Sequence, residues 1–256
     1  MTDTSPRRRI PAIRRGLWWA ADYFYAGRRQ LAVLTPPWTI GRPRPVPDGW
    51  QAGDAALPEI VLVPGVYEHW TFLRPLGDAL AARGHRVTVV HGLGMNRRSI
   101  PATGERLARL LASRPAPSAG RVIVAHSKGG LIGKSVLVAA ENGEATGDLL
   151  GVVAIATPFG GSRRAALFVD PSIRAFLPRN ETIVALGQAS GVNGRIVSVF
   201  GPYDPHILEG SALVGATNVE VTTAGHFRVL GAASTHEAAI DGVRHLAAVA
   251  RQSPGP

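Results

Sequence analysis

The feature that most constrains the fold of this chain is a regular alternation of two hydrophobic patterns from residue 59 onward. Short runs rich in β-branched and apolar residues lie at 59–63, 86–91, 121–125, 151–155, 195–200 and 218–222. Segments with apolar residues three and four positions apart lie between and after them, at 70–83, 101–113, 130–141 and 235–250. Strands that alternate with helices form parallel sheets, and uninterrupted apolar strands are covered on both faces. The sequence therefore predicts a single α/β domain with a mostly parallel sheet of about six strands, flanked by helices.

The first 58 residues differ from the rest in charge. The chain has 28 Lys and Arg against 18 Asp and Glu, and much of the arginine excess lies before residue 45. We interpret residues 1–58 as a basic, aromatic, helical arm with a connector rich in Pro and Gly, and residues 59–251 as the folded domain. Leu17, Ala21 and Phe24 share one helical face, beside Trp18 and Tyr25. This face is expected either to pack on the core or to rest on an anionic membrane, and nucleic acid is not expected as a partner.

The sequence has no cysteine and no long apolar run, which limits the possible catalytic chemistry and the expected cellular location. The chain has no cysteine, which excludes disulfides, a thiolate nucleophile and a cysteine-built zinc site. No apolar run approaches the roughly 20 residues of a spanning helix, and Pro11, Arg14 and Arg15 interrupt any signal-peptide core. The expectation is a cytoplasmic protein without a membrane-spanning segment, with membrane association of the arm left open.

The strongest chemical signal is a strand that runs into a turn and then a helix, Arg121-Val-Ile-Val-Ala-His-Ser-Lys-Gly-Gly130. This order is the layout of a nucleophile elbow, with Ser127 at the tip of the turn. The strained turn needs small neighbours, and Ala125 and Gly129 meet that need. Backbone N–H groups at the start of the helix would stabilise an oxyanion beside Ser127. A strand–turn–helix unit without a catalytic function is the alternative.

Residues 59–250 resemble α/β-hydrolases, and within them bacterial lipases and esterases with the same Ala-His-Ser-x-Gly motif. In that family an oxyanion loop follows an earlier strand, and residues 64–67, Pro-Gly-Val-Tyr, occupy this place. The resemblance implies that the backbone N–H groups of Val66 and Lys128 bind the oxyanion, while the Lys128 side chain is taken to be incidental. Pro64 replaces the histidine often found there without removing either donor. A rival loop at 91–94, His-Gly-Leu-Gly, is expected to form one wall of the mouth of the site instead.

The family's chain order of Ser, Asp and His directs the search for the remaining catalytic residues. A histidine suits a general base at neutral pH, and His226 follows the last strand and a glycine, as the family places its catalytic histidine. Asp204 lies in the loop after the penultimate strand, where it would orient His226. Glu209 and Asp170 are weaker alternatives for the carboxylate. The other histidines are interpreted as structural or loop residues.

A further stretch, Thr157-Pro-Phe-Gly-Gly-Ser162, resembles the Thr-Pro-x-x-Gly-Ser segment of lipases. Tyr67, Phe159 and Phe168 are the candidates for lining a substrate pocket. Residues 163–193 have several apolar positions and no clear strand. They are expected to form either a lid over that pocket or a helical excursion that packs on the core.

The resemblance implies a serine hydrolase that cleaves a small carboxylic ester, with an acyl ester favoured, and that needs no metal or organic cofactor. The reaction would pass through an acyl-enzyme on Ser127. Two alternatives stay open. Acyl transfer would use the same intermediate with an alcohol or amine in place of water. The second alternative is a hydrolase-like binding protein without catalytic activity, which the basic arm would recruit to membranes or nucleic acid. It stays open because a fold does not establish an activity.

Overall fold

A computed structural model of the protein describes residues 11–34, 45–93, 95–144, 146 and 148–252. Within these residues, one sheet contains six strands. They are β1 Glu59–Val63, β2 Val87–Val89, β3 Arg121–His126, β4 Leu149–Ile155, β5 Ile196–Phe200 and β6 Thr217–Glu220. The spatial order is β2-β1-β3-β4-β5-β6, and every neighbouring pair is parallel. The predicted α/β fold with a parallel sheet flanked by helices is confirmed.

The chain changes direction across the sheet between β1 and β3. Strand β2 lies on one side of β1, and every later strand is added on the other side. Connections that diverge in this way leave a crevice at the carboxyl ends of the two strands. Residues 64–67 follow β1 and Ser127 follows β3, so both lie at this crevice.

The central strands are buried on both faces. All residues of β1 and of β3 are buried. Along β1, Ile60 and Leu62 face one apolar cluster, and Val61 and Val63 face the other. This alternation follows from the two-residue period of a strand. A continuous apolar run in the sequence therefore marks a strand that is covered by helices on both sides.

The α-helices within the described residues are α1 Ala12–Leu34, α2 Arg74–Ala81, α3 Ile100–Ala112, α4 Lys128–Glu141, α5 Pro171–Arg174, α6 Glu181–Gln188 and α7 Ala233–Gln252. The helix predicted over 70–83 begins as a 3₁₀ turn, Trp70–Leu73, before α2. Pro75 lies in the first turn of α2, and a proline cannot donate the N–H that a continuous α-helix would need there. No helix in the described ranges is long and apolar enough to cross a membrane.

Helices cover each face of the sheet and form two apolar cores. Leu76 of α2 and Leu246 of α7 belong to one core. Leu107 of α3 and Leu131 of α4 belong to the other. Trp50, which the sequence places in the connector, is buried in the first core and donates its indole N–H to Asp78 at 2.9 Å.

The segment 163–193 is largely helical, and its second half is part of the core. It contains the 3₁₀ turn Arg163–Leu167, α5 and α6. Phe176, Ile183 and Leu186 are buried against the α4 side of the sheet. Leu167 and Val169, by contrast, are exposed. The second half thus packs as a helical excursion, and a lid stays a prediction for the part near residues 163–170.

Helix α1 lies against the loop that follows β6, but not with the face predicted from the sequence. Leu17 and Phe24 are exposed, and Asp22 is fully buried. The Trp18 ring lies 5.9 Å from the Tyr203 ring, on the same side of the helix as Asp22. The expected packing on the core is therefore wrong for Leu17 and Phe24, whereas Tyr25, which the sequence placed beside them, packs against the core. The face with Asp22 is turned inward, where the backbone N–H groups of the loop donate to its carboxylate. These hydrogen bonds offset the cost of burying the charge.

Candidate active site

Ser127 occupies a strained turn between β3 and α4. Its backbone angles are φ 51° and ψ −119°, a region that residues with a Cβ rarely adopt. The Ser127 N–H donates to the Ile155 carbonyl oxygen at 2.9 Å, and α4 begins at the next residue. Pairing to β4 on one side and the helix on the other hold the turn, which has the geometry of the expected elbow.

Two glycines follow the turn because neighbouring atoms lie where a Cβ would be. A Cβ on Gly129 would lie 2.2 Å from the Val63 carbonyl oxygen, and one on Gly130 would lie 2.0 Å from Thr157 Oγ1. The sequence indicated this need at Gly129 but not at Gly130. Thr157, in the lipase-like stretch after β4, donates its hydroxyl to the Ser127 carbonyl oxygen at 3.0 Å. The elbow is therefore packed between the ends of β1 and β4.

The three residues predicted to be catalytic lie in one line of contacts. His226 Nε2 lies 3.0 Å from Ser127 Oγ, and His226 Nδ1 lies 2.7 Å from Asp204 Oδ2. The three residues follow β3, β5 and β6, whose carboxyl ends meet at the same edge of the sheet. Ser127 is 7 % exposed and His226 is 5 % exposed. The fold thus brings together a hydroxyl, an imidazole and a carboxylate that are far apart in the sequence.

Asp204 is held by the backbone of its own loop. Its Oδ1 accepts hydrogen bonds from the N–H groups of His206 at 2.7 Å and of Ile207 at 3.0 Å, and its Oδ2 faces His226. Burial opposes the charge of Asp204, but the neighbouring His226 and the His206 N–H outweigh it, so the pKa of Asp204 lies below its ordinary value. Asp204 is therefore ionised at neutral pH.

The electrostatics of His226 follow from the same contacts. Burial favours its neutral form, yet the charge and hydrogen bond of Asp204, aided by Asp22 and Glu68, raise the pKa of His226. The His206 ring lies 4.9 Å from the His226 ring, and burial together with the charge of His226 lowers the pKa of His206 to about 3. His206 therefore stays neutral at neutral pH and does not compete for the Ser127 proton.

The two alternative carboxylates have other partners. Glu209 accepts hydrogen bonds from the backbone N–H and the guanidinium group of Arg163. Asp170 accepts a hydrogen bond from the Tyr67 hydroxyl and caps α5. Asp204 is the carboxylate that contacts His226.

The loop after β1 is tied down on both sides of its middle residue. The Gly65 N–H donates to Glu68 Oε2 at 2.7 Å, and the Tyr67 N–H donates to the Met95 carbonyl oxygen at 2.7 Å. Tyr67 has a φ of 62°, so the backbone is also strained here. The rival loop at 91–94 thus leads into the segment that holds Tyr67, and residue 94 lies outside the described residues.

The two expected oxyanion donors lie on neighbouring segments. Val66 lies between Gly65 and Tyr67, whose backbone N–H groups are both hydrogen-bonded. Lys128 is the first residue of α4, and the first N–H groups of a helix have no acceptor within that helix. The start of α4 touches the end of β1, since Gly129 abuts the carbonyl groups of Val63 and Pro64. Oxyanion binding by Val66 and Lys128 stays a prediction.

Solved structures with this architecture include lipases from two organisms. A mature lipase from Bacillus licheniformis matches with a TM-score of 0.61 and 17% identity, over 78% of this chain and 96% of that one. Lipase B from Aspergillus fumigatus matches with a TM-score of 0.58 and 16% identity, over 78% of this chain and 55% of that one. A gene product from Listeria innocua gives a TM-score of 0.51 at 15% identity, over 71% of this chain and 91% of that one. This chain has the α/β-hydrolase fold.

The likeness is one of structure rather than of sequence. The sequence matches no protein-family model and no curated protein. At identities of 17% and less, the α/β-hydrolase neighbours show the fold alone, because one fold carries many activities. The resemblance to α/β-hydrolases that the elbow motif predicts is confirmed for the fold. What the site does must be argued from its own geometry.

This α/β-hydrolase fold contains a second buried carboxylate–histidine pair beside the first. Glu68 Oε1 lies 2.7 Å from His126 Nδ1, and His126 Nε2 lies 2.9 Å from the His226 carbonyl oxygen. Both side chains are buried. The pair connects the loop after β1 with the backbone of His226. The sequence analysis assigned His126 only a structural role and did not identify Glu68, because no motif marks a carboxylate whose histidine partner lies 58 residues away.

The sequence predicts that the Lys128 side chain is incidental, and the structure shows that this is wrong. It is fully buried, and its Nζ donates to the carbonyl oxygen of Asn96 at 2.8 Å and to that of Arg98. Asn96 Nδ2 donates in turn to the Pro64 carbonyl oxygen at 2.7 Å. Burial lowers the pKa of Lys128 to about 8. The side chain therefore fixes the 95–98 segment between the elbow and the loop after β1.

The candidates for the substrate pocket occupy different environments in the hydrolase fold. Tyr67 is half-buried beside the elbow, with its hydroxyl on Asp170. Phe159 is buried in the core on the α4 side of the sheet. Phe168 is exposed on the segment that leads to α5. Their part in a substrate pocket stays a prediction.

Helix α1 supplies a residue that supports the histidine loop. Asp22 Oδ1 accepts hydrogen bonds from the N–H groups of Phe227 and Arg228, both at 2.8 Å. Gly225 lets the loop approach this carboxylate, since a Cβ there would lie 2.5 Å from Asp22 Oδ1. The sequence showed Asp22 only as an interruption of an apolar segment. A single acidic residue in a helix of apolar and basic residues is the signal that could have found it.

Proposed function

We propose that the protein is a serine hydrolase that cleaves carboxylic esters through an acyl-enzyme on Ser127. The observation that carries the proposal is the line of contacts from Ser127 Oγ to His226 at 3.0 Å and from His226 to Asp204 at 2.7 Å. A nucleophile, a base within hydrogen-bonding reach and a carboxylate that orients the base form the set needed for nucleophilic acyl chemistry.

In the first half-reaction, Ser127 Oγ attacks the carbonyl carbon of the ester while His226 Nε2 accepts the hydroxyl proton. Negative charge then develops on the former carbonyl oxygen, where the backbone N–H groups of Val66 and Lys128 would stabilise it. When the tetrahedral intermediate collapses, the bond to the alcohol breaks and His226 returns the proton to the leaving oxygen. The acyl group remains on Ser127 as an ester.

In the second half-reaction, His226 takes a proton from water, and the resulting nucleophile attacks the acyl carbon. The bond to Ser127 Oγ breaks, the proton returns to Ser127, and the carboxylic acid leaves. Asp204 keeps the proton of the neutral imidazole on Nδ1, so Nε2 is the accepting atom, and its charge stabilises the imidazolium that forms. The lowered pKa of Asp204 supports this assignment, because an ionised carboxylate is required.

The substrate class that we propose is an acyl ester. The solved neighbours from Bacillus licheniformis and Aspergillus fumigatus are lipases. Exposed apolar side chains at Leu167, Phe168 and Val169 precede Asp170, which contacts Tyr67 beside the elbow. An acyl chain is favoured by such surroundings, since each buried CH₂ group contributes about 0.8 kcal/mol.

The proposal is tested with a fluorescent fluorophosphonate and a series of p-nitrophenyl esters of increasing chain length. Ser127→Ala should remove both labelling and turnover, while Ser113→Ala, at the exposed C-terminus of α3, should keep both. Product analysis with an added alcohol separates hydrolysis from acyl transfer. A folded wild-type protein that is neither labelled nor active would favour the binding-protein alternative instead.

A further inference from the structure

Helix α1 carries an apolar stripe that no described part of the protein covers. Ile13, Leu17, Phe24 and Leu31 are 81%, 66%, 69% and 62% exposed. They are spaced by four, seven and seven residues, and at about 100° per residue they project from one face of the helix. Large apolar side chains aligned and exposed in this way mark an interaction surface rather than scattered exposure.

The orientation of the stripe is set by the opposite face of α1. Asp22 lies about half a turn away from the stripe, and it is buried against the loop after His226. The Tyr25 ring packs against the main apolar core. Turning the stripe toward the protein would remove Asp22 from its two backbone donors, so the stripe is held outward.

The charged residues of α1 indicate which kind of surface the apolar stripe binds. Arg14 and Arg15 lie near its start, and Arg28 and Arg29 lie in its second half. Asp22 is the acidic residue of α1, and it points into the protein. Arg14 and Arg28 lie within about 100° of the stripe and are exposed, whereas Arg29 donates to the Tyr25 hydroxyl. The outer surface of this helix is therefore apolar along its centre with a positive charge near each end, which is the pattern of helices that lie in the interface of anionic bilayers.

Helix α1 also lies beside the candidate active site. The Tyr23 ring lies 5.4 Å from the His206 ring, and His206 in turn stacks near His226. Leu167 and Val169 are exposed on the segment after the lipase-like stretch, and Arg164 is close enough to Tyr23 to influence its ionisation. A membrane surface that binds α1 would thus lie next to the candidate active site.

We propose that α1 binds the surface of an anionic lipid bilayer through Ile13, Leu17, Phe24 and Leu31, and so holds the site at the membrane. This inference rests on the proposed function for its biological meaning, because it assigns the acyl esters to lipids of that bilayer. The binding itself is a separate property, since none of these four residues contacts Ser127, His226 or Asp204. Binding should weaken with salt, because the arginine contribution is screened.

The test is flotation of the full-length protein with two kinds of vesicle, phosphatidylcholine alone and phosphatidylcholine mixed with phosphatidylserine. We expect binding to the mixed vesicles at low salt. The double variant Leu17→Gln/Phe24→Gln should reduce the bound-to-unbound ratio about 10-fold or more, because two apolar anchors are lost. Val214→Gln changes a valine that is even more exposed, in the loop before β6, and should bind like the wild type.

Turnover of a short soluble ester separates this inference from the proposed function. The double variant should keep wild-type turnover, and Ser127→Ala should still float. Wild-type protein that does not bind the mixed vesicles, or a double variant that binds as well as the wild type, would overturn the inference. So would sedimentation showing a wild-type dimer that the double variant loses without any vesicle binding, because the stripe would then face a second copy of the chain.

Discussion

Asp22 and Phe227 form a hydrogen bond across 205 positions of the sequence, with Asp22 Oδ1 2.8 Å from the Phe227 nitrogen. Phe227 directly follows His226, so the N-terminal helix supports the loop on which the candidate base is carried. Without this carboxylate, the N–H groups of Phe227 and Arg228 would lose their acceptor. A buried polar group without a partner costs about 1–3 kcal/mol.

The first prediction concerns the charge of Asp22. This charge raises the pKa of His226, and a base must be neutral to accept the serine proton. Asp22→Asn keeps an acceptor oxygen but removes the charge, so the pKa of His226 falls and the neutral form persists to lower pH. The acid limb of the kcat/KM profile should therefore move to lower pH.

The measurement is the pH dependence of kcat/KM with a short p-nitrophenyl ester. Asp241→Asn, an exposed residue of α7, should leave the profile unchanged. Asp22→Ala should in addition lower the free energy of unfolding by about 1–3 kcal/mol, because it removes the acceptor as well. An acid limb that stays in place in Asp22→Asn would show that His226 does not feel this charge.

The second prediction separates Asp204 from the alternative carboxylates. Asp204→Asn should lower kcat about 10³–10⁴-fold, because the imidazole is no longer held in the right tautomer. The acid limb of the remaining activity should also move to lower pH, since the largest contribution that raises the pKa of His226 is lost. Glu209→Gln and Asp170→Asn should keep kcat within a few-fold of the wild type. Comparable losses in either of these variants would argue against Asp204 as the orienting residue.

The third prediction concerns the packing of the elbow. Gly129→Ala places a Cβ 2.2 Å from the Val63 carbonyl oxygen, which is backbone and cannot rotate away. We expect a loss of about 1–3 kcal/mol in the free energy of unfolding, together with the loss of fluorophosphonate labelling. Gly187→Ala is the matched control, because α6 leaves open space there. It should stabilise the protein by about 0.5–1 kcal/mol in urea denaturation, and a Gly129→Ala protein as stable as the wild type would contradict the geometry of the elbow.

The fourth prediction concerns the pair of Glu68 and His126. Glu68→Ala leaves His126 Nδ1 and the Gly65 N–H without their hydrogen-bond partner in a buried region. The free energy of unfolding should fall by about 1–3 kcal/mol for each buried polar group that is left without a partner. In Glu68→Gln the side-chain oxygen still accepts the Gly65 N–H, and the amide NH₂ group donates to Nδ1 of a neutral His126 ring whose proton is on Nε2, so this variant should recover most of the loss. Urea denaturation measures the difference, and equal stability of the two variants would mean that the hydrogen bonds of Glu68 do not matter.

The elements of this fold could be predicted because they depend on local patterns. The β-branched runs gave the six strands, and the missing part of the helix predicted over 70–83 has a local cause in Pro75. Ser127, Asp204 and His226 could also be named, because the elbow motif and the order Ser, Asp, His resemble those of α/β-hydrolases. Each of the three follows a strand, and the carboxyl ends of parallel strands meet at one edge of the sheet. Their proximity in the structure reflects that rule, and Gly129 and Gly130 at the start of α4 let the elbow pack closely against its neighbours.

The sequence by itself determined which segments are strands and helices and which three side chains stand at the strand ends. The tertiary structure decided which face of α1 is buried and what Asp22, Glu68 and the Lys128 side chain do. A helical period shows that Leu17 and Phe24 share a face, but burial depends on partners from distant segments. For these polar groups the partners are mostly backbone atoms, which every residue carries, so no residue type in the sequence marks them in advance.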